Sequence, residues 1–215
     1  MALKAMIIPV TPLAQNCTLL WCDETLEAAV IDPGGDLPKI DAALAQAGAT
    51  LKQIWITHAH LDHAGATAEL AAREGLPIVG PHREDQFLID SLTEQGARYG
   101  LKAAPFEPTR WLEDGDTVSL GKETLLVRHC PGHTPGHVVF VSPEAHFAVV
   151  GDVLFQGSIG RTDFPRGDHD ALIKSIRERL FPLGDEITFV PGHGPVSTFG
   201  QERRSNPFVA DMLFA

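Results

Sequence analysis

The most informative segment of this chain is Ile54-Trp55-Ile56-Thr57-His58-Ala59-His60-Leu61-Asp62-His63-Ala64-Gly65. An apolar run leads directly into three histidines and one aspartate within six positions. In an extended loop His58 and His60 point to the same side, whereas Asp62 and His63, at the start of a helix, can turn toward a second centre. Imidazole and carboxylate are ligands that suit zinc, manganese or iron, so the stretch predicts a metal site. The alternative, surface histidines beside a helix N-cap at Asp62, explains only the aspartate.

Three later segments add candidate ligands at the ends of apolar runs. They are Cys130-Pro131-Gly132-His133-Thr134-Pro135-Gly136-His137, Val149-Val150-Gly151-Asp152 and Phe189-Val190-Pro191-Gly192-His193-Gly194. Any one of these segments alone is typical of an ordinary loop. Together with the first cluster they predict that His133, Asp152 and His193 join it, because active sites in α/β folds gather in the loops at strand ends.

The rest of the chain alternates short apolar runs with helical patterns, which predicts an α/β fold. The predicted strands are residues 6–9, 18–22, 28–31, 53–56, 124–129, 138–141, 147–150 and 187–190. The predicted helices are residues 37–47, 64–74, 83–98 and 168–180. No linker rich in Gly, Pro or Ser divides the 215 residues, so we expect a single domain over 1–215.

Composition and charge limit the function classes. The hydrophobic content of 44% and the charged content of 21% are typical of an ordinary globular protein. No run approaches the roughly 20 apolar residues that a membrane span requires. The net charge of −11 disfavours nucleic-acid binding. The cysteines, Cys17, Cys22 and Cys130, fit neither a disulfide framework nor a thiolate zinc site, so we expect a cytoplasmic protein. From the charge and the lack of a long apolar run we expect no nucleic-acid or membrane partners.

The histidine and aspartate pattern resembles that of the metallo-β-lactamase superfamily, His-x-His-x-Asp-His followed by His, Asp and His. The resemblance implies a four-layer αββα sandwich and two divalent metal ions, with zinc expected before iron or manganese. The ligands it implies are His58, His60 and His133 for the first ion, Asp62, His63 and His193 for the second, and Asp152 as the bridge between them.

Two residues are expected to support the ligands. Asp32 stands at an early strand end, where the superfamily keeps an acid that orients a ligand histidine, and a metal-bound imidazole usually needs such an acceptor. Without the family, Asp32 in an Asp-Pro-Gly context is an ordinary turn residue. His137 can hydrogen-bond across the site or cap its turn, and we do not assign it as a ligand.

Within the superfamily the chain is most similar to glyoxalase II and its short bacterial relatives. The similarity lies in residues 130–137 and in Gly157-Ser158-Ile159-Gly160-Arg161-Thr162-Asp163-Phe164. It implies hydrolysis of glutathione thioesters such as S-lactoylglutathione, with Arg161 as a substrate-binding residue. The alternative for Arg161 is a structural ion pair with a nearby aspartate.

The chain departs from full-length glyoxalase II in two respects. We expect no C-terminal helical domain for glutathione binding, because only about 20 residues follow His193. Asp163 and Pro195 stand where those enzymes have tyrosines, and Tyr99 is the only tyrosine. Recognition of glutathione itself is therefore left open.

The metal site predicts a hydrolytic mechanism with a bridging hydroxide as nucleophile and Asp62 and Asp152 as catalytic residues. A thiolate leaves without a strong general acid, which favours a small-molecule thioester as substrate. The main alternative is a persulfide dioxygenase with a single iron held by His58, His133 and Asp152. A lactonase or a nuclease of the same fold, and a non-enzymatic metal-binding protein, are the remaining alternatives.

Overall fold

The computed structural model describes residues 3–214, which contain two large β-sheets. The strands of the first sheet are β1 (Leu3–Val10), β2 (Gln15–Cys22), β3 (Glu27–Ile31), β4 (Thr50–Trp55) and β5 (Ile78–Val79), in that order. The first three strands are antiparallel, and β3, β4 and β5 run parallel to one another. The parallel strands therefore end at one edge of the sheet, where the loop after β4 begins.

The second sheet has six strands. They are β6 (Thr117–Leu120), β7 (Glu123–His129), β8 (Val138–Ser142), β9 (Phe147–Gly151), β12 (Thr188–Pro191) and β13 (Ser197–Thr198). Their order is β13-β12-β9-β8-β7-β6, and only β9 and β12 of these described pairs are parallel. A short hairpin of β10 (Leu154–Phe155) and β11 (Ser158–Ile159) follows β9.

Seven α-helices occur in the described part of the chain. They are α1 (Leu37–Ala47), α2 (Leu61–Ala64), α3 (Thr67–Glu74), α4 (Gln86–Asp90), α5 (Leu92–Tyr99), α6 (His169–Lys174) and α7 (Phe199–Ser205). A π-helical segment, Ser175–Leu180, continues α6, and short 3₁₀ turns lie at Arg83–Asp85, Phe181–Leu183 and Asp211–Leu213. Within residues 3–214, each helix falls short of the length and apolar character that crossing a membrane requires.

Alternating side chains on each strand separate the core into layers. Val30 of β3 faces outward and packs with Ile40 of α1, whereas its neighbour Ile31 faces the opposite sheet. Between the sheets, the rings of Trp55 and Phe140 lie 5.2 Å apart. Burying an aromatic or aliphatic side chain of this kind stabilises the fold by about 1.5 to 3 kcal/mol.

The outer face of the second sheet is covered in the same way. Val139 and Val141 pack with Leu172 of α6 and with Phe199 of α7. The arrangement is helices, sheet, sheet and helices, so the four-layer αββα sandwich expected from the sequence is confirmed.

The predicted helices differ from the observed ones in continuity. The segment predicted as one helix over 64–74 is divided between α2 and α3, and the segment predicted over 83–98 is a 3₁₀ turn followed by α4 and α5. The second division falls where the Ser91 hydroxyl donates to the carbonyl of Leu88 at 2.9 Å. Serine side chains that bond to a nearby backbone carbonyl compete with regular helix, which explains the interruption.

Candidate metal site

The ends of four strands bring all seven predicted ligands to one edge of the sandwich. The loop after β4 carries His58 and His60 and leads into α2, which holds Asp62 and His63. The other three predicted ligands follow later strands, with His133 after β7, Asp152 after β9 and His193 after β12. Six of the seven form two groups of three, and within each group the possible ligand atoms all lie within 4.8 Å of one another.

The first group, here called the histidine group, contains His58, His60 and His133. His58 Nε2 lies 3.1 Å from His60 Nδ1, and His133 Nε2 lies 2.9 Å from the same His60 atom. His133 Nδ1 donates to the carbonyl of Arg161 at 2.7 Å, so its Nε2 directs a lone pair at the other two rings. Burial lowers the pKa of all three residues, that of His60 to about 3. The group therefore presents neutral imidazoles.

The second group, here called the carboxylate group, contains Asp62, His63 and His193. His193 Nε2 lies 3.0 Å and His63 Nε2 3.8 Å from Asp62 Oδ2. Burial alone would lower the pKa of His63, but the charges of Asp152 and Asp62 outweigh it and raise the pKa well above its usual value. The pKa of His193 is also raised, because its hydrogen bond to Asp62 and the charges of Asp152 and Asp62 together outweigh the effect of burial.

Asp152 lies between the two groups and contacts both. Its Oδ1 is 3.3 Å from His63 Nε2, and its Oδ2 is 3.5 Å from His133 Nε2 and 3.8 Å from His193 Nε2. Burial would raise the pKa of Asp152, but the charge of His63, with smaller contributions from His133 and His193, holds it well below its usual range. Asp152 is therefore an ionised carboxylate placed between two sets of nitrogen atoms.

The donor atoms of both groups fit divalent metal ions. His63 Nε2 and Asp152 Oδ1 are buried yet make no hydrogen bond within residues 3–214, and buried polar atoms rarely stay unpaired. Nitrogen and oxygen ligands about 2.0 to 2.1 Å from a tetrahedral zinc ion lie about 3.3 Å apart, close to the separations described above. The backbone also leaves room, because a Cβ at Gly192 would lie only 2.0 Å from Asp152 Oδ1.

Asp32 connects the end of β4 to His63. It is buried, and it accepts hydrogen bonds from the Thr57 backbone at 2.7 Å and from the Thr57 hydroxyl at 2.5 Å. Its Oδ2 also lies 2.8 Å from His63 Nδ1, which turns His63 Nε2 toward Asp152. The backbone of Asp32 is left-handed, with φ of 55°, a conformation that aspartate tolerates better than most residues.

His137 lies behind the histidine group rather than within it. Its ring stacks on His58 with centroids 4.5 Å apart, and its Nε2 accepts a hydrogen bond from the Asp152 backbone at 3.0 Å. Burial lowers the pKa of His137 well below its usual value, so the ring is neutral and can accept this bond. His137 therefore holds the backbone of Asp152 through a hydrogen bond that crosses the site.

A cavity of about 680 Å³ opens above the two groups. Its floor contains His60, Asp62, His133, Asp152 and His193. Its walls are mainly apolar and include Leu13, Tyr99, Leu101, Phe155, Ile159 and Phe164. A largely apolar cavity with a few convergent polar groups is typical of a small-molecule site.

Arg161 lies at the mouth of this cavity and is paired with Asp163. Its Nε and one terminal nitrogen each lie 2.6 Å from a carboxylate oxygen of Asp163. The guanidinium also stacks on Phe164, 4.4 Å from the ring centre. The side chains of Arg161 and Asp163 are 63% and 66% exposed, so the pair is open to solvent and to a ligand. The ion pair considered for Arg161 is thus present at the cavity.

The sequence did not point to one buried residue beside the site, Asp85. Its carboxylate accepts hydrogen bonds from Ala59, Thr134 and Gly136, which lie in the two loops of the histidine group. Burial raises the pKa of Asp85 to about 6, although these donors oppose the shift. The only local signal was a charged triplet at residues 83–85, which is typical of any exposed turn.

The fold, the ligand pattern and the cavity are those of a metal-dependent enzyme class. The chain belongs to the metallo-β-lactamase superfamily, whose family model matches residues 10–193. A relative from Haemophilus influenzae, named hydroxyacylglutathione hydrolase GloC, is 48% identical over 205 residues, covering 94% of this chain and 96% of the relative. The expected superfamily and the resemblance to hydroxyacylglutathione hydrolases are both confirmed.

Two further similarities concern the metals and the chemistry of relatives. The crystal structure of TTHA1623 in a di-iron-bound form superposes with a TM-score of 0.85 at 38% identity, covering 95% of this chain and all of that one (100%). The mitochondrial persulfide dioxygenase ETHE1 of Bos taurus is 34% identical over 201 residues, covering 90% of this chain and 72% of the relative.

Proposed function

We propose that this protein is a dinuclear-metal hydrolase of thioesters, with S-lactoylglutathione as the model substrate. The observation that carries the proposal is Asp152, a buried ionised carboxylate in contact with both groups of donor atoms at the floor of the cavity. The similarity to a named hydroxyacylglutathione hydrolase supports the thioester as substrate class.

The proposal assigns one ion to each group. The ligands are His58, His60 and His133 for the first ion, Asp62, His63 and His193 for the second, and Asp152 for both. Imidazole and carboxylate donors suit zinc, iron and manganese, and zinc is the metal proposed first. The di-iron form of TTHA1623 supports two ions and keeps iron as an alternative.

Two bound ions would lower the pKa of water to about 7 and polarise the thioester carbonyl. The chain supplies everything around them. Asp32 orients His63, and His137 fixes the backbone of Asp152, so the donor atoms are in place before substrate arrives. The apolar walls, with Phe155 and Phe164, exclude bulk water from the acyl group. The leaving thiol, with a pKa of about 8.5, departs as thiolate without a dedicated acid.

Arg161 is proposed to bind the anionic end of the substrate. The guanidinium keeps one nitrogen outside the bonds to Asp163 and lies at the cavity mouth, where a carboxylate can reach it. Because the pair is exposed to solvent, the contribution of Arg161 to substrate binding is modest. The partners we propose are small-molecule thioesters. A cytoplasmic location is supported by three buried cysteines without a disulfide in the described chain.

A thiol-release assay tests the function. Protein loaded separately with zinc, iron or manganese is mixed with S-lactoylglutathione, and free thiol is measured against time. We expect one thiol for each turnover, and absence of thiol release with every metal would overturn the hydrolase proposal. The same samples receive glutathione persulfide in an oxygen electrode. Oxygen consumption by a single-iron form would favour the dioxygenase that the similarity to ETHE1 suggests.

A further inference from the structure

Asp85 is fully buried and lies outside the seven proposed ligands, yet it joins the two loops that carry the histidine group. The first loop is held through Ala59, whose backbone N–H donates to Asp85 Oδ2 at 3.1 Å. Ala59 stands between His58 and His60 in the sequence. A shift of this contact therefore moves both histidines.

The second loop is held through two residues that follow His133. The Thr134 hydroxyl donates to Asp85 Oδ2 at 2.9 Å, and the Gly136 backbone N–H donates to Oδ1 at 2.6 Å. Gly136 permits this approach, because a Cβ there would lie 2.7 Å from Asp85 Oδ1. One carboxylate thus fixes the distance between the loop of His58 and His60 and the loop of His133.

Only a carboxylate satisfies all three donors at once. Asparagine has nearly the same shape, but it replaces one accepting oxygen with an NH₂ that can only donate. In place of Asp85, this NH₂ would face at least one backbone N–H or hydroxyl donor, and the loops would have to separate. An Asp85→Asn change therefore alters loop spacing with little change in side-chain volume.

We propose that Asp85 is a positioning residue for the histidine group, and that it sets the affinity of this group for its metal ion. The inference rests on the two-metal part of the proposed function but not on the identity of the substrate. It requires no contact between Asp85 and the ion. The carboxylate group, which Asp85 does not contact, should keep its affinity.

Glu202 provides a matched control elsewhere in the fold. It is 1% exposed and accepts hydrogen bonds from Gly157, Ser197 and Asn206, none of which adjoins a residue of the histidine group. Glu202→Gln therefore removes a carboxylate with similar burial and a similar number of donors. It reports what a general loss of stability does to metal binding.

The experiment measures zinc affinity by competition with a chromophoric chelator and zinc occupancy at each position by anomalous diffraction. Asp85→Asn should weaken zinc binding at the histidine group by about 10- to 100-fold, as for other residues that orient metal ligands, while the other group changes little. Thr134→Val, which removes only one donor, should produce a smaller loss at the same position. Glu202→Gln should lower the unfolding temperature of the metal-free protein and leave both zinc affinities unchanged.

Three outcomes would overturn the inference: wild-type affinity in Asp85→Asn, equal losses at both groups, or the same loss in Glu202→Gln. Thr134→Val keeps the test decisive if Asp85→Asn does not fold, because it retains the carboxylate and two of its three contacts. Failure of the thioester proposal would appear separately, as absence of thiol release from protein that binds zinc normally.

Discussion

The histidine group and the carboxylate group lie side by side and share the segment from His58 to His63. The pKa values of the histidines are lowered in the first group and raised in the second. Burial keeps His58 and His60 neutral. Three residues after His60, His63 is also buried, and neighbouring carboxylates raise its pKa instead. The same residue type in one short segment therefore has two different affinities for protons, decided by whether a carboxylate lies within reach.

The difference bears on how each group binds a cation. Histidine must be deprotonated to act as a metal ligand. The neutral rings of the histidine group meet this requirement before any ion arrives. The raised pKa values of His63 and His193 favour the protonated form, which has to release its proton to solvent before an ion binds. Asp152 couples the two groups, because its carboxylate lies 3.3 Å from a nitrogen of His63 in one and 3.5 Å from a nitrogen of His133 in the other. The predictions below test this division.

The largest effect is expected from Asp152→Asn. The replacement keeps the shape but removes the charge that both groups face, so it should reduce metal content at each. Residues that only orient ligands change metal affinity or activity by about 10- to 100-fold, and the loss of turnover here should exceed that range. Metal analysis and the thiol-release assay measure the two effects.

The matched control for Asp152→Asn is His169→Ala. His169 lies at the exposed start of α6 and outside both groups, so this variant should keep wild-type metal content and turnover. Equal losses in the two variants would mean that the ligand assignment is wrong.

The next effect separates the groups by removing one histidine from each. His133→Ala should empty the histidine group and His193→Ala the carboxylate group, so each variant should retain about one ion per chain instead of about two. Metal content after dialysis gives the stoichiometry. Loss of both ions from either variant would show that the two groups act as one cooperative site.

A smaller effect is expected in the dependence of stability on pH for the metal-free protein. The folded-state pKa values of His58, His60 and His137 lie below the 6.5 of an unperturbed histidine. Below pH 6.5 the unfolded chain therefore binds more protons than the folded one. The free energy of unfolding decreases as the pH is lowered. His63 and His193, with raised pKa values, are protonated in both states there and do not oppose this trend. Asp85, whose pKa is raised to about 6, opposes it as one group against three.

Above pH 6.5 the sign reverses for the carboxylate group. The stabilisation from protonated His63 and His193 is lost as pH rises through their raised folded-state pKa values. The unfolding temperature with chelator present should therefore have a maximum near pH 6.5 and fall by more than about 3 °C toward about pH 5. An unfolding temperature that does not change between about pH 6.5 and pH 5 would contradict the conclusion that the rings of the histidine group are neutral.

The smallest effect is expected outside both groups, at the cavity mouth. Asp163→Asn releases Arg161 from its partner and should lower the KM for an anionic thioester by up to about fivefold, with turnover unchanged. Arg161→Ala should raise KM by a similar factor. Initial rates over a range of substrate concentrations measure both. A rise in KM in both variants would identify the pair as a structural unit rather than a recognition element.

Much of the fold followed from local sequence patterns. The eight predicted strands all overlap observed ones, because alternating or continuous apolar residues reflect burial on one or both faces of a strand. The strand β6 was not predicted, since only Val118 and Leu120 of its four residues are buried and the pattern is too short to recognise. The helix α7 was also missed, because Gly200 in its first turn is a poor helix former.

The ligand candidates could also be named from the sequence, since the spacing of His58, His60, Asp62 and His63 is itself the signal. The proposed roles of these residues and the extent of the domain stay predictions. Asp85 could not be found in this way, because its partners Ala59 and Gly136 lie 26 and 51 positions away along the chain. No periodicity connects residues at such separations.

Local sequence established the residue types available for chemistry and the apolar faces on which strands and helices pack, because both depend on neighbouring positions. The charge states of His60 and His63, the pairing of Arg161 with Asp163 and the contacts of Asp85 follow only from the folded structure. A pKa or a hydrogen bond depends on burial and on atoms within a few ångströms. Those neighbours come from distant parts of the chain and meet only when the two sheets pack together.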